Sequence, residues 1–495
     1  MRSLALLATL AFPLAAQEAS AFLPVSHWAM PYVEHLIARG VVADPAPLTR
    51  PLRQADVVRA LEAADTADLS GAERRAARRI LTDLALPGHG PSWRLDAHLS
   101  AAAASYDNRD PVRPVGEGHA TMAGGLAAQL LLGPVAAVSH PYFDTRLKYD
   151  PEYSGKKDRA IAGRNAEAYL RAQWRYGELF FGALDRNWGP AALQSLLLSP
   201  APYSYAHAGI ALGTSRVRLE GVLTQLDDAA DTTGATIHRY LVAHRLIVRP
   251  SAVTTLALWE GSLLAGVDRA LEPWYANILT LGLLAQYDEG TSANSLLGLD
   301  AQTRIGEVRV FGSVLLDDIQ VDDDTPADEE PPSYGLAIGA QGALAGAAWT
   351  AWYTRVSNLT YRTPGVGETW MRRNVGLARN YADYDQLSLR GSLLLGPGLL
   401  LAPEATLVRQ GEGDFRLPFP PTAAYDTTPA FLAGTPERTL RLALAAQLDA
   451  GPLTVSGNGG VHLIANAGHV SGKDETRWDG SVTVAYRFRY EGRLP

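Results

Sequence analysis

The sequence predicts a mainly β protein: an antiparallel transmembrane outer-membrane β-barrel of about eighteen strands, preceded by a small three-helix N-terminal domain. Three observations predict it. From Trp93 onward apolar and polar residues alternate with a period of two, stretch after stretch. Very short connections, most of them marked by glycine, take turns with long ones. The chain also opens on a segment built for export.

Composition narrows the classes. A chain of 495 residues is too long for one ordinary soluble domain unless that domain is a large barrel. The apolar fraction of 47% is ordinary, charge is low at 19%, and there is no cysteine, which excludes a disulfide scaffold, a cysteine zinc site and a thiol nucleophile. The net charge of -8, with arginines and lysines scattered, leaves no footprint for nucleic acid.

In "MRSLALLATLAFPLAAQEASA", Arg2, an apolar core and the small-x-small end Ala19-Ser20-Ala21 read as a signal peptide over residues 1–21. Cleavage falls before Phe22, with Ala16 as the alternative end. No later run is long and apolar enough for a membrane-crossing helix, so an exported, cysteine-free chain of this kind is a periplasmic protein or an outer-membrane barrel.

Residues 22–90 are helical in pattern and are expected to face the periplasm. "HWAMPYVEHLIARG" puts Val33, Leu36 and Ile37 on one face and stops at Gly40; Pro51 stands near the start of a second helix; Ser70 and Glu73 form a capping box opening a third.

Residues 91–495 carry the strands. "TLRLALAAQL" sets Leu440, Leu442 and Leu444 against Arg441 and Gln447, and "SVTVAYRFRY" sets Val482, Val484, Tyr486, Phe488 and Tyr490 against Arg487 and Arg489. Long alternating strands with aromatics ending the apolar face suit a lipid-facing wall better than a soluble sandwich. Tight connections at Gly133-Pro134, Gly177-Glu178, Gly213-Thr214, Pro250-Ser251, Gly306-Glu307, Ala345-Gly346, Gly396-Pro397 and Gly451-Pro452 separate nine segments, each long enough for a hairpin. Nine hairpins are eighteen strands.

The stretch "FFGALDRNWGPAALQSLLLSPAP" starts as a strand, breaks at Trp188-Gly189-Pro190 and ends in three leucines beside prolines. It is a long external connection, and its leucines predict that it folds inward to pack in the lumen or across the mouth. Its Asp185-Arg186-Asn187-Trp188-Gly189-Pro190 followed by Ser195-Leu196-Leu197-Leu198-Ser199 resembles the signature of the Wzi-type capsule-assembly family of outer-membrane proteins. The layout of leader, helical domain and barrel is similar too. The opening of the helical domain, with His27-Trp28, Gly40 and Thr49-Arg50, resembles an S-layer-homology-like module. The resemblance implies a lectin-like surface protein that helps hold capsular or other exported polysaccharide and performs no chemistry.

Each candidate residue has two readings. Trp188 stacks on a sugar or anchors the loop by packing; Asp185 and Arg186 bind glycan or pair with lumen charges. Arg171, Arg175, Arg216, Arg218, Arg309, Arg390, Arg441 and Arg487 are expected in the lumen, guiding an acidic polysaccharide or pairing with Glu167, Asp144 and Glu220. Trp274, Tyr275, Trp370, Tyr381 and Tyr384 are sugar-stacking candidates or girdle residues. Asp322, Asp323, Asp324 and Asp328 suggest calcium or a solvated loop.

Motifs for catalysis are lacking: there is no G-x-S-x-G, H-E-x-x-H or phosphate loop, and His238 and His244 share a strand face too far apart for one metal. No enzyme, metal or cofactor is expected, although a site assembled from distant strands would leave no motif. Two functions stand: a polysaccharide-binding surface protein with a blocked lumen, and a porin-like channel tethered to the cell wall through residues 22–90. Expected partners are surface polysaccharide, outer-membrane lipid and cell-wall polymer, with the protein a monomer.

Overall fold

A computed structural model describes residues 18–65, 67, 69–85, 90–318, 330–396 and 398–494. Most of the expected leader and the aspartate-rich loop with Asp322, Asp323, Asp324 and Asp328 lie outside the described residues. Among the described residues no helix is long and apolar enough to cross a membrane, and no group of side chains is arranged to hold a metal.

Three helices come first: α1 (Met30–Ala38), α2 (Gln54–Glu62) and α3 (Gly71–Leu84). Pro31 opens α1 and Gly40 ends it at φ 76°, the left-handed conformation that glycine adopts without strain. The expected capping box is present on α3, with Ser70 Oγ accepting from Glu73 N at 3.2 Å and Glu73 Oε2 accepting from Ser70 N at 2.7 Å.

The barrel then runs β1 (Ser92–Ala104), β2 (Ala120–Leu132), β3 (Val135–Asp144), β4 (Ala162–Trp174), β5 (Gly177–Ala183) and β6 (Ala206–Gly213). It continues with β7 (Val217–Gln225), β8 (Thr236–Val248), β9 (Thr255–Val267), β10 (Asn294–Ile305), β11 (Val308–Asp318) and β12 (Ser333–Leu344). Last come β13 (Ala347–Val356), β14 (Tyr384–Leu395), β15 (Leu399–Gln410), β16 (Glu437–Ala450), β17 (Leu453–Ala465) and β18 (Glu475–Arg493). Every neighbouring pair is antiparallel, and β18 closes on β1 from Ser481↔Ala104 to Arg493↔Ser92. A closed wall leaves no unpaired edge, the condition for strands to span a bilayer.

The two faces separate as expected. Leu440, Leu442 and Leu444 point outward and are exposed, while Arg441 between them is buried inside. Short turns at one end and long connections at the other give the asymmetry of outer-membrane barrels, which places the short-turn end toward the periplasm. Two turns sit off the expected positions. β4 ends at Trp174, so the turn is Arg175-Tyr176 rather than Gly177-Glu178, and β6 ends at Gly213 with β7 starting at Val217. Arg175 and Arg216 are therefore exposed turn residues and not lumen residues.

The helical head closes the short-turn end. Tyr32 donates to Gly398 O at 2.8 Å, His35 Nδ1 meets Ser392 Oγ at 2.6 Å, and Arg79 reaches Asp449 at 3.2 Å and Gly451 O at 2.7 Å. Leu36, Ile37 and Ile80 share a core with Leu394 and Leu400 of the wall. Ahead of the head, Ala19, Ser20 and Ala21 are buried: Ala19 N donates to Gly133 O at 2.6 Å, Arg171 donates to Ser20 O, and Ala21 O accepts from Gln54 N at 3.0 Å.

Candidate functional site

Two long connections, residues 184–205 and 357–383, turn into the bore and pack on each other. Leu196, Leu197, Leu198, Tyr361, Trp370, Leu377 and Phe415 form one apolar cluster with the inward Leu241, Trp259, Leu263, Leu296 and Leu315 of the wall. The backbone polar groups that this buries are satisfied across the two loops. Tyr361 OH donates to Leu196 O at 2.9 Å, Trp370 Nε1 to Leu197 O at 3.0 Å, and Ser199 N to Leu377 O at 2.9 Å.

The first loop holds its shape through side chains. Asn187 Oδ1 accepts from Ser195 N at 2.8 Å and its amide donates to Leu193 O at 2.9 Å; Ser195 Oγ donates to Trp188 O and accepts from Leu197 N at 3.0 Å. Asn187-Trp188 also forms a short antiparallel ladder with Thr49-Arg50 of the head, and Gly189 N donates to Leu48 O at 2.9 Å. Loop and head thus meet inside the bore. Arg50 at this junction is buried and held by Glu34 at 2.6 Å and Asp44 at 3.1 Å.

Trp188 is 2% exposed, its ring under Arg245, so it acts as a packing anchor and offers no face to a sugar. Asp185 is enclosed, and burial raises its carboxyl pKa against the pull of Arg164 and Arg109. Arg186 donates to His207 Nε2 at 2.7 Å and lies over Phe180. Pro190 is buried beside them. Of the aromatics expected to stack on sugars, Tyr275, Trp370 and Tyr384 are at most 2% exposed and belong to cores. Tyr381 is partly covered and lies under Arg113, leaving Trp274 as the exposed ring.

Six of the eight arginines do face inward. Arg171 pairs with Glu178 at 2.8 Å, Arg218 with Glu220 at 2.8 Å, Arg390 with Glu404 at 2.7 Å, Arg441 with Glu404 at 2.7 Å and Arg487 with Asp449 at 2.6 Å. Arg309 lines a small cavity with Arg304 and Gln341. Glu220 is a partner as expected, whereas Asp144 neighbours Arg146 at 3.8 Å and Glu167 pairs with none of the eight among the described residues. The partners Glu178, Glu404 and Asp449, and the inward Arg245 on Glu220, are further members of this network, and the inward Arg239 donates instead to the carbonyls of Gly367, Thr369 and Met371; their place on the polar side of an alternating strand was the signal that marks them.

Above the plug lies a rim that the sequence did not single out. Tyr149 stacks on His119 at 3.5 Å with Lys148 over the ring, and Arg373 bridges to Ser154 at 3.4 Å. Lys156, Lys157, Arg159 and Arg373 are exposed beside them. The run "GKKDR" at 155–159 was the available clue.

No family model matches the chain, and no curated protein matches it by sequence. Among solved structures it superposes on Wzi, an outer-membrane protein involved in group 1 capsule assembly in Escherichia coli and described as a carbohydrate-binding β-barrel. The TM-score is 0.64 at 12% identity, over 95% of this chain and 100% of that one. The likeness is one of fold. The chain is an outer-membrane β-barrel. Pseudomonas aeruginosa OprD gives a TM-score of 0.46 at 11% identity, over 81% of this chain and 96% of that one. Pseudomonas aeruginosa OccD3 gives 0.48 at 12% identity, over 82% and 92%.

Proposed function

We propose that this outer-membrane barrel binds exported polysaccharide at its long-loop end and helps retain or assemble it at the cell surface, without catalysis and as a monomer. One observation carries the reading: the loops that form the outer rim also fill the bore, down to the helical head, with an apolar cluster and hydrogen-bonded backbone. A diffusion channel needs a continuous polar path, and the Trp188-to-Phe415 cluster packs into the bore against the wall from β7 to β14. The fold likeness to a carbohydrate-binding barrel supports the same reading.

The rim suits an acidic glycan. Exposed cations attract carboxylates or phosphates over a distance, and the stacked Tyr149-His119 pair with Lys148 over the ring stands among them. The head, with Arg59, Arg75 and Arg78 exposed, presents a cationic surface to cell-wall polymer in the periplasm.

Two measurements test the reading. Purified protein in a planar bilayer conducts little, and large steady currents would overturn the binding assignment in favour of a channel. Replacing Lys156, Lys157 and Arg159 together by glutamine weakens binding of an acidic polysaccharide and flattens its salt dependence; unchanged binding removes the rim from the site.

A further inference from the structure

The outer wall carries a polar pair where a lipid-facing surface has little use for one. His244 on β8 and Glu260 on β9 are cross-strand partners. They share a face with Leu246 and Leu258, which point outward and are exposed, while the alternate Ala243 and Trp259 pack in the bore. His244 Nδ1 lies 2.9 Å from Glu260 Oε1, and both side chains are buried. On β8 the pair sits nearer the short-turn end than the long-loop end, within the apolar band.

What covers it is the connection between β9 and β10. This segment holds α4 (Pro273–Ala276) and α5 (Gly282–Glu289), and it turns back over the outside of the wall. Gly282 N donates to both oxygens of Glu260 at 2.8 Å, so the carboxylate caps α5. Gln286 donates to Ser295 Oγ at 2.5 Å, and Ser295 bonds Ser262 on the same outward face at 3.1 Å. Val242, Leu264, Tyr275 and Ala285 form a small core between wall and hairpin. Ile278 rests on Gly221 of β7, where an added Cβ would come within 2.5 Å of it; glycine makes room for the hairpin.

The far side of the hairpin is apolar and bare. Trp274, Leu279, Leu281, Leu284 and Tyr287 are exposed, Leu279 at 80% and Tyr287 at 81%. Five large apolar side chains on one connection have no reason to face water, but at this depth on the wall they face hydrocarbon. Beside the hairpin, Ala276 and Ile278 together with the outward Leu170, Leu179, Phe181 and Leu223 line a groove of about 560 Å³. The groove is continuous with the exposed apolar band of the wall and reaches down to Val135, Leu170 and Leu179, each within a few residues of a short turn, so its neighbour is hydrocarbon of the periplasmic leaflet.

We propose that residues 268–293 form a hairpin embedded in the outer membrane, latched to the wall through Glu260, and that the groove beside it holds an acyl chain of a lipid of the periplasmic leaflet. Such a site fixes one lipid at one place on the barrel and gives the wall a defined tilt and depth.

The absence of native cysteine makes the test clean. Leu279→Cys, Leu281→Cys, Leu284→Cys and Tyr287→Cys, each labelled with a nitroxide in proteoliposomes, should collide with oxygen far more than with a water-soluble nickel chelate. Thr233→Cys, on another long connection, should show the reverse. Nickel access equal to that at Thr233 would place the hairpin in water and overturn the proposal. Exclusion of both reagents with dipolar broadening between labels would assign the face to a second copy and overturn it equally. For the groove, a lipid carrying a diazirine at its acyl end should cross-link to the peptides bearing Leu170, Leu179 and Phe181, and Leu179→Trp should abolish that product. Cross-links spread evenly around the barrel and indifferent to Leu179→Trp would remove the lipid site. Retained heat-modifiable migration shows that each variant has folded.

Discussion

The ring of Trp188 lies 4.5 Å from the guanidinium carbon of Arg245, and that same guanidinium donates to Leu48 O and Thr49 Oγ1, each at 2.8 Å, and to Glu220 at 2.6 Å. One side chain of the wall therefore ties an external loop to the helical head, through the middle of the bore.

Trp188→Ala removes the ring from this junction. Truncating a buried aromatic costs roughly 3 to 5 kcal/mol, here charged to the loop and not to the wall, whose own ladder is untouched. Normal amounts of heat-modifiable protein, a higher bilayer conductance and shedding of polysaccharide into the medium are expected together. Shedding without a conductance change would separate plugging from binding.

Trp370→Phe keeps most of the ring but deletes the hydrogen bond to Leu197 O. Leaving that buried carbonyl unpaired costs about 1 to 3 kcal/mol. Single-channel recordings should show brief openings absent from the parent, while polysaccharide binding stays unchanged because the ring is buried. Loss of binding would return Trp370 to the sugar site.

Docking of the head should weaken on acidification. Burial holds the pKa of His35 at about 4 against an ordinary value of 6.5, with Glu73 raising it and Arg39 lowering it, and burial likewise holds His27 at about 4. Both histidines are neutral when docked and take a proton more readily when released. Their contribution is intact above pH 6.5 and is lost as the pH falls from 6.5 to about 4. Glu73 adds in the same direction at lower pH: burial acts to raise its pKa, but hydrogen bonds from Ser70 and Arg39 outweigh this and leave it lowered. Protection factors of the α1 amides, taken relative to the intrinsic exchange rate at each pH, should fall between pH 7 and pH 5, and His35→Gln should blunt the response.

The mature chain is expected to begin at Gln17 and not at Phe22. Cleavage after Ala21 would remove Ser20, whose carbonyl accepts from Arg171 and whose hydroxyl accepts from Ala55 N at 2.9 Å. Intact-mass measurement of protein from outer membranes distinguishes the two ends directly.

The wall was legible in the sequence because it rests on a local rule. A strand turns successive side chains to opposite faces, so Leu440, Arg441 and Leu442 declare lipid, lumen and lipid without reference to anything distant. Short turns at Gly133, Gly306 and Gly451 declare the hairpins in the same way, and a leucine run beside prolines declares a loop that avoids water. A local rule also fails locally: a two-residue error in a turn took Arg175 out of the lumen.

Tertiary structure alone decided what the long connections do. Tyr275 and Trp370 have no periodic neighbours to reveal which side they face, and each is buried because a surface outside its own segment lies over it, the outward face of β8 and β9 for one and the 184–205 loop for the other. The ladder between Thr49 and Trp188 joins residues that no spacing relates. Nor does composition distinguish a loop that folds into the bore from one that folds over the outer wall: residues 184–205 and 268–293 are both rich in leucine, and they part ways because one meets Tyr361, Trp370 and the head, and the other meets Glu260 and Gly221. Alternation is set by the geometry of one strand, whereas the fate of a loop is set by which distant surfaces satisfy its backbone and cover its apolar side chains.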